Sequence, residues 1–400
     1  MSSYKKVSST SFGSNNWCLK LKPLYAKGLL AGLSNGHVNI IDWQSGKAFQ
    51  VFKAYENPIN DLSVIDGDFD SGNLFAVSSG NNVKVYDVRL NDCVASIQND
   101  QEAPFLSLDS RHGMLVCGTE LQGVDAKIHM YDIKKFGIPQ RSFIDSHHDD
   151  VTDLKFHPTD SNILLSGSTD GYVNIYDLTQ PEEEDALHQV INFSSIHSCG
   201  WLAPNRIWTL SHMETFSIHE LNDKSDYPRE PNPVDFGDIR ESWNCNYVID
   251  IYPGFIATGK NQEDDSMLQL IPFSNEHVNV ESSLVVPNAH GMEVVRDVLV
   301  PKLNTSVMYS GGEDGEVVMW KAKAPLNISS EFWDYSKPCN VFEDSIPEVD
   351  LTASEEVSND VVDKVDTSEK ISEKKDEKAK RKKETRSKKA KSKEHRYTPY

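Results

Sequence analysis

The sequence predicts an all-β protein, a seven-bladed β-propeller followed by a disordered C-terminal tail. Asp42, Asp87, Asp132 and Asp177 recur every 45 residues, and each ends a short apolar segment (VNIID, VKVYD, IHMYD and VNIYD). A period of about 40 to 45 residues with alternating apolar positions is typical of propeller blades, each of which is a small sheet. The repeat stops near Asp344, where charged residues replace apolar ones.

One strand of each predicted blade can be followed through the whole repeat. The residue before the position of the recurring Asp is, in order, Ile41, Tyr86, Tyr131, Tyr176, His219, Ile271 and Trp320. The residues one and three positions earlier are all apolar: Val38 and Ile40, Val83 and Val85, Ile128 and Met130, Val173 and Ile175, Phe216 and Ile218, Leu268 and Leu270, Val317 and Met319. This alternation predicts a strand with one buried face. Because it occurs seven times, we expect seven blades.

The fourth repeat contains the signals that join the strands of a blade. Its apolar segments VTDLKF, ILLSGS and YVNIYDL are connected by an HPTDSN turn and an STDG hairpin. In the hairpin, Asp170 can hydrogen-bond its own backbone and Gly171 tolerates a positive φ. We assign residues 1–16 to an N-terminal arm, 17–343 to the propeller and 344–400 to the tail. Residues 4–9 are expected to close the seventh blade, since an unpaired edge strand favours aggregation.

The fourth and seventh repeats resemble WD40 repeats. The segments DSHHDDVTDLKFHPTDSNILLSGSTDGYVNIYDL and SGGEDGEVVMWK carry the resemblance, which implies a hydrogen-bonded set of four side chains in a blade. The matching residues are His147, Ser166, Asp170 and Tyr176 in the fourth repeat, and His290, Ser310, Asp314 and Trp320 in the seventh. Tyr176 replaces the family's Trp, and a phenol cannot place a donor where an indole does.

The same segments are similar to WD repeat-containing protein 89 and its fungal relatives, as a family. The similarity spans most of residues 17–321, although the first, fifth and sixth repeats fit by spacing and apolar pattern only. This resemblance implies a seven-bladed nuclear propeller without known catalysis.

Charge divides the chain into two parts. Residues 370–400 contain 14 Lys or Arg and 5 Asp or Glu, whereas residues 1–369 contain 26 basic and 56 acidic residues. Dense charge with few apolar residues cannot offset the entropy lost on folding, so we expect a disordered tail. Its clusters Lys380, Arg381, Lys382, Lys383 and Lys388, Lys389 are typical of a nuclear import signal. A solvated charge run, or nonspecific contact with RNA or DNA phosphates, is the alternative interpretation.

Several classes of protein do not fit the sequence. It has no run of 18 apolar residues and no signal peptide, which predicts a soluble intracellular protein without membrane contact. The six cysteines form no C-x-x-C pair and are expected to be reduced, buried thiols. His147, Ser166 and Asp170 have the side chains of a hydrolase triad, but their spacing matches the structural set. His147-His148-Asp149-Asp150 lies in one loop and is unsuited to converge on a metal. We expect no enzyme activity, cofactor or metal.

Two surface features suggest partners. Acidic clusters fall in expected loops and turns: Glu182, Glu183, Glu184 and Asp185; Glu263, Asp264 and Asp265; Asp149 and Asp150. A strongly negative compact body raises association rates with basic proteins. Tyr86-Asp87-Val88-Arg89 resembles the box by which some WD40 proteins dock to the adaptor of cullin-4 ubiquitin ligases, which makes Arg89 a candidate docking residue. An exposed Arg on the rim is the simpler alternative.

The sequence therefore predicts a non-enzymatic, monomeric WD40 scaffold that binds other proteins. It is expected in the nucleus, including the nucleolus, with a cytoplasmic pool. The leading hypothesis is an escort or assembly factor for basic clients such as ribosomal proteins or histones. A substrate receptor of a cullin-4 type ubiquitin ligase and a ribosome-biogenesis factor that contacts RNA weakly through its tail are the alternatives. Residues 325–342, with Trp333 and Tyr335, either pack on the propeller or capture a partner.

Overall fold

Seven antiparallel sheets make up the folded part of the chain. The computed structural model describes residues 4–65, 72–99, 101–225, 232–263, 265–329 and 331–342. The chain begins with β1 (Tyr4–Ser11). Blade 1 consists of β2 (Cys18–Leu24), β3 (Gly28–Leu33), β4 (His37–Ile41) and β5 (Ala48–Lys53). Blade 2 consists of β6 (Asp61–Val64), β7 (Leu74–Ser79), β8 (Asn82–Asp87) and β9 (Asp92–Gln98). Blade 3 consists of β10 (Phe105–Arg111), β11 (Met114–Thr119), β12 (Ala126–Asp132) and β13 (Arg141–His147).

The remaining blades follow the same plan with local additions. Blade 4 has β14 (Val151–Phe156), β15 (Ile163–Ser168), β16 (Tyr172–Asp177), the short helix α1 (Glu183–Ala186) and β17 (Leu187–Asn192). Blade 5 has β18 (Ile196–Ala203), β19 (Arg206–Ser211), β20 (Thr215–Glu220) and β21 (Val234–Asp238). Blade 6 has β22 (Tyr247–Tyr252), β23 (Phe255–Gln262) and β24 (Asp265–Ser274), then β25 (His277–Val278), a 3₁₀ turn (Val280–Ser282) and β26 (Leu284–Pro287). Blade 7 has β27 (Val295–Leu299), β28 (Val307–Gly312) and β29 (Glu316–Ala322).

The third strand of every blade carries the core predicted from the repeat. All fourteen apolar residues that define the pattern are buried, with exposed fractions from 0% at Val38 to 6% at Met319. Burying one such side chain contributes about 1.5 to 3 kcal/mol, which explains why the pattern recurs in every blade. The prediction of an all-β, seven-bladed propeller is confirmed. The predicted disordered tail, residues 344–400, lies outside the described residues.

The recurring aspartate ends its strand by capping the next turn. The Oδ1 atoms of Asp42, Asp87, Asp132 and Asp177 each accept a hydrogen bond from the backbone N–H two residues later, at 2.8 to 3.2 Å. This is the side-chain turn that Asp forms with its own backbone. The residue recurs because the chain must reverse at the same place in each of these blades.

Blade 7 is completed by the N-terminal strand. β1 pairs antiparallel with β29, from Tyr4 opposite Ala322 to Ser11 opposite Glu316. Lys6 Nζ lies 3.0 Å from Glu316 Oε2 across this pair. The outer edge of β29 is thereby covered, so the first and last parts of the propeller are hydrogen-bonded to each other.

After β29 the chain runs back over one face of the propeller in an irregular segment that we call the strap (residues 323–329 and 331–342). Leu326 N donates to Thr305 O of blade 7 at 3.2 Å, and Val341 N donates to Asp160 Oδ2 of blade 4 at 2.9 Å. Apolar strap residues pack between these points: Ile328 beside blade 6, Phe332 on the blade 5 and 6 core, and Trp333 and Phe342 on the blade 4 and 5 core. This segment therefore packs on the propeller, one of the two alternatives that the sequence left open.

Candidate functional site

The seventh blade contains a complete hydrogen-bonded set of four side chains, three of them buried and the fourth, Asp314, 24% exposed. Trp320 Nε1 donates to Ser310 Oγ at 2.8 Å, and Ser310 Oγ lies 2.7 Å from His290 Nε2. His290 Nδ1 lies 2.9 Å from the carboxylate of Asp314. Since a carboxylate only accepts, His290 carries its proton on Nδ1 and accepts the serine proton at Nε2. The chain thus runs from the indole N–H to the carboxylate with every link satisfied.

The fourth blade forms the same chain with a weaker last link. His147 Nε2 lies 2.7 Å from Ser166 Oγ, and His147 Nδ1 lies 2.9 Å from Asp170 Oδ2. Burial tends to raise the pKa of Asp170, but hydrogen bonds and charge from His147 outweigh it and lower the pKa below its ordinary value. Ser166 Oγ is 3.4 Å from Tyr176 OH, at the outer limit of a hydrogen bond. Gly171 adopts the positive φ of 92° expected for the hairpin.

This arrangement is unsuited to hydrolysis, although it contains Ser, His and Asp. His147 and Ser166 are both 0% exposed, so no substrate can reach the hydroxyl. The equivalent Ser310 is also 0% exposed, and its oxygen is bonded to an indole. The geometry fastens a hairpin to the sheet and supports the structural interpretation of both sets.

Aspartates of the innermost strands link neighbouring blades around the central channel. Their Oδ2 atoms accept from backbone N–H groups of the next blade: Asp297 from Leu21 (2.7 Å), Asp61 from Leu108 (2.8 Å), Asp109 from Phe156 (2.7 Å) and Asp153 from Cys199 (3.0 Å). The sequence analysis missed these residues. The signal was present, because these aspartates recur at intervals similar to the blade repeat.

The central channel contains a cavity of about 640 Å³, and its lining carries charges of both signs. Lys155 Nζ lies 2.5 Å from Asp153 Oδ1, and Lys20 Nζ lies 3.4 Å from Asp61 Oδ1. Burial raises the pKa of Asp250 to about 6, although nearby Lys155 partly opposes the shift. The carboxylates that join the blades are engaged by backbone amides, so they hold the ring together.

The two faces of the propeller differ in charge. In an antiparallel blade, the loop between the second and third strands lies at the same end as the link to the next blade. We call these loops the acidic face, which in the described residues comprises 12–17, 34–36, 54–60, 80–81, 99, 101–104, 120–125, 148–150, 169–171, 193–195, 212–214, 239–246, 263, 288–294 and 313–315. The loops at the opposite end, over which the strap runs, form the strap face.

Among described residues, the acidic face has one basic residue, Arg240, and thirteen acidic ones: Glu56, Glu102, Glu120, Asp125, Asp149, Asp150, Asp170, Glu214, Glu241, Glu263, Glu293, Glu313 and Asp314. The described loops of the strap face have nine acidic residues: Asp42, Asp160, Glu182, Glu183, Glu184, Asp185, Asp223, Glu276 and Glu281. They also have seven basic ones: Lys27, Lys47, Arg89, Lys134, Lys135, Lys224 and Lys302. Glu214 contributes the least negative charge to the acidic face near neutral pH, because burial raises its pKa to about 7. Among the loop residues that the structure describes, negative charge is therefore concentrated on one face.

The acidic clusters singled out in the sequence are divided between the two faces. Glu182, Glu184 and Asp185 are exposed on the strap face, around helix α1. Glu183 is engaged internally, because its carboxylate accepts from Ile144 N at 2.8 Å and Asp145 N at 3.0 Å. A helical turn thus replaces part of the expected loop, and Glu183 is not a free charge.

The second cluster lies at the hairpin between β23 and β24. Glu263 is exposed there, and Asp265 begins β24, where its Oδ2 lies 2.6 Å from Lys260 Nζ. Asp264 lies outside the described residues, as do the tail residues Lys380, Arg381, Lys382, Lys383, Lys388 and Lys389. Only Glu263 of this cluster is a described, exposed carboxylate without a lysine beside it.

Arg89 lies on the strap face in the turn after β8. Its Nε and Nη2 atoms donate to Asp87 Oδ1 and Oδ2 at 3.0 and 2.6 Å. The hydrogen bonds from Arg89 lower the pKa of Asp87 to about 2. The arginine side chain is still 60% exposed, and the neighbouring Leu90 is 66% exposed. Arg89 is thus held in one orientation on the rim.

Comparisons with known proteins agree with this architecture. The model of the WD domain, G-beta repeat, matches residues 137–177, which include β16 and its closing Asp177. The chain is 57% identical over 401 residues to an uncharacterized WD repeat-containing protein of Saccharomyces cerevisiae, and 100% of each chain is covered. The chain belongs to the WD repeat protein family.

More distant relatives of this WD repeat protein are also WD repeat-containing proteins. It is 28% identical over 307 residues to the WD repeat-containing protein 89 homolog of Dictyostelium discoideum, which covers 73% of this chain and 79% of the homolog. It is 28% identical over 290 residues to an uncharacterized WD repeat-containing protein of Schizosaccharomyces pombe, with 68% and 86% covered. The resemblance to this family and its fungal members is confirmed.

The WD repeat propeller is typical of non-catalytic scaffolds that bind other proteins. In the described part of the chain, no helix has the length and apolar character needed to cross a membrane. Within the same residues, His, Cys, Asp and Glu side chains form no group of three that could hold a metal ion.

Proposed function

We propose that this WD repeat protein is a nuclear escort or assembly factor that binds basic proteins through its acidic face. The observation that carries the proposal is the charge difference between the described loops of the two faces, with thirteen acidic residues and one basic residue in those of the acidic face. Clustered charge of one sign attracts partners of opposite sign and speeds their association. A ribosomal protein or histone, whose charge must be masked before it meets nucleic acid, has the chemistry that this face favours.

The strap supports the choice of face. It packs along the opposite face from blade 7 to blade 4, so its backbone and apolar side chains already cover part of that face. The acidic face retains its carboxylates at the surface: Glu56, Glu102, Glu120, Glu241 and Glu293 are all exposed. Within this proposal the basic tail directs the protein to the nucleus.

Matched charge variants test the proposal. We expect Gln at Glu56, Glu102, Glu120, Glu241 and Glu293 to weaken binding of a Lys-rich peptide by roughly 10-fold at about 50 mM NaCl. The control replaces the exposed strap-face carboxylates Glu182, Glu184, Asp185, Asp223 and Glu281 by their amides, which removes the same charge. Fluorescence anisotropy at increasing salt measures both. Equal losses in the two variants, or no binding at low salt, would refute recognition by this face.

A receptor role in a cullin-4 type ubiquitin ligase is the second candidate. The fixed, 60% exposed Arg89 beside the exposed Leu90 is the observation that favours it. Adaptor pulldown with Arg89→Ala tests this role, and adaptor capture that does not depend on Arg89 contradicts it. RNA association through the basic tail is tested separately by sedimentation with preribosomes before and after removal of residues 370–400.

A further inference from the structure

Apolar side chains are also concentrated on one part of the acidic face. Five large hydrophobic residues of the described acidic-face loops are exposed, Trp17 (41%), Leu121 (37%), Val124 (74%), Met213 (58%) and Met292 (51%), and the exposed Tyr172 (39%) adjoins them as the first residue of β16. Four of them, Leu121, Val124, Tyr172 and Met213, belong to the hairpins of three consecutive blades, numbers 3, 4 and 5. Surface patches that combine apolar and charged groups often mark sites of protein interaction.

Hydrogen bonds donated by backbone N–H groups join these hairpins into one continuous structure. Leu121 N donates to Asp150 Oδ1 at 2.8 Å, and Thr169 N donates to Asp150 O at 3.0 Å, which connects blades 3 and 4. Phe193 N donates to Gly171 O at 2.9 Å, and His212 N donates to Ser195 O at 2.9 Å, which connects blades 4 and 5. We call the resulting surface the ledge (residues 120–125, 148–150, 169–172, 193–195 and 212–214).

The ledge places carboxylates beside its apolar side chains. Glu120 and Asp125 flank Leu121 and Val124 in the blade 3 hairpin. Asp125 Oδ1 lies 2.9 Å from His148 Nδ1 of the following loop, which fixes the far side of the hairpin. Asp149 and Asp150 lie between this hairpin and that of blade 4. Because its loops are tied to each other, little ordering entropy is lost when a partner binds.

We propose that the ledge binds an extended basic segment that carries aliphatic or aromatic anchor residues. The proposal rests on the proposed function, since it names the kind of segment that a basic client presents. Lys and Arg side chains meet Glu120, Asp125, Asp149 and Asp150, while the anchors pack on Val124, Tyr172 and Met213. The unbranched, polarisable Met213 side chain adapts to anchors of different shape. Charge brings the client to the face, and the apolar contacts select the segment that stays.

Two peptides of equal charge separate these roles. One alternates Lys or Arg with Leu, and the other has Ser in place of each Leu. We expect the native protein to bind the Leu peptide about 10-fold more tightly than the Ser peptide, because buried anchors dominate the energy of an interface. The double variant Val124→Ser, Met213→Ser is expected to remove this preference and leave the affinity for the Ser peptide unchanged. Both residues are mainly exposed, so the thermal unfolding midpoint should stay the same.

Met292→Ser is the matched control, since Met292 is 51% exposed on the same face but outside the ledge. It should preserve the preference for the Leu peptide. If the native protein binds both peptides equally and salt weakens both, the apolar role of the ledge is wrong while recognition of basic clients stands. If Met292→Ser abolishes the preference and the ledge variant does not, the anchor site lies elsewhere. Absence of binding to either peptide overturns the proposed function and this inference together.

Discussion

Ser310→Ala should destabilise the propeller more than Ser166→Ala, although both remove a single buried hydroxyl. Ser310 Oγ accepts from Trp320 Nε1 at 2.8 Å and lies 2.7 Å from His290 Nε2, so its loss leaves a buried donor and a buried acceptor unpaired. Each such orphan costs about 1 to 3 kcal/mol. Ser166 has one short bond, to His147 Nε2, because its contact with Tyr176 OH is 3.4 Å. We expect losses of about 4 kcal/mol for Ser310→Ala and about 2 kcal/mol for Ser166→Ala.

Thermal unfolding followed by calorimetry measures the difference. For a propeller of this length, a loss of 1 kcal/mol lowers the midpoint by about 1.5 °C. The two variants should therefore differ by about 3 °C. Adding Trp320→Phe to Ser310→Ala should cost less than Trp320→Phe costs alone, since the indole N–H is already unpaired. Equal shifts for the two serine variants, or full additivity with Trp320→Phe, would show that the hydrogen bond from Trp320 Nε1 to Ser310 Oγ does not contribute the expected stability.

Three further outcomes are expected. The pKa of Asp250, about 6 in the fold, exceeds its unfolded value of about 4. Its ionisation therefore costs nothing below about pH 4 and opposes folding fully above about pH 6. We expect Asp250→Asn to stabilise the fold by about 3 kcal/mol at pH 8 and to have no effect at pH 4, and denaturant titration at both pH values checks this. A chain ending at Ala322 should unfold about 5 °C below one ending at Phe342, because only the longer chain keeps the strap; equal midpoints contradict a stabilising strap. Deletion of residues 370–400 from a tagged copy should abolish nuclear accumulation in microscopy, and unchanged accumulation removes the import signal.

The repeat made most of the fold predictable, since each blade needs the same buried side chains in its third strand. Even blade 6, which fits the repeat by spacing and apolar pattern only, places Leu268 and Leu270 in the core. The packing of the irregular strap was harder to predict from the sequence, because the strap contacts Asp160 and Thr305, which are far away in the chain. The hydrogen bonds from the backbone of β13 to the Glu183 carboxylate were hard to predict for the same reason, since they depend on the packing of blades 3 and 4.

The candidate site was only partly predictable. The sequence identified acidic clusters, but it did not assign them to faces, so Glu182 and Glu263 were treated alike although they lie at opposite ends of their blades. The alternation of loops between the faces is a property of antiparallel strands and could have been applied to every repeat. The ledge needed the structure, since hydrogen bonds such as Leu121 to Asp150 join loops that are distant in sequence.

The pairing of β1 with β29 also determines when the propeller can close during translation. The ribosome synthesises Tyr4 before Ala322, its partner, and at about 5 to 20 residues per second the wait is tens of seconds. Until β29 has been synthesised, β1 therefore has no partner strand. Its sequence, YKKVSSTS, is largely polar, which lets it remain in water without recruiting other nascent chains. Ring closure therefore has to wait for the synthesis of β29, and a chain released before Ala322 would lack part of the strand that pairs with β1.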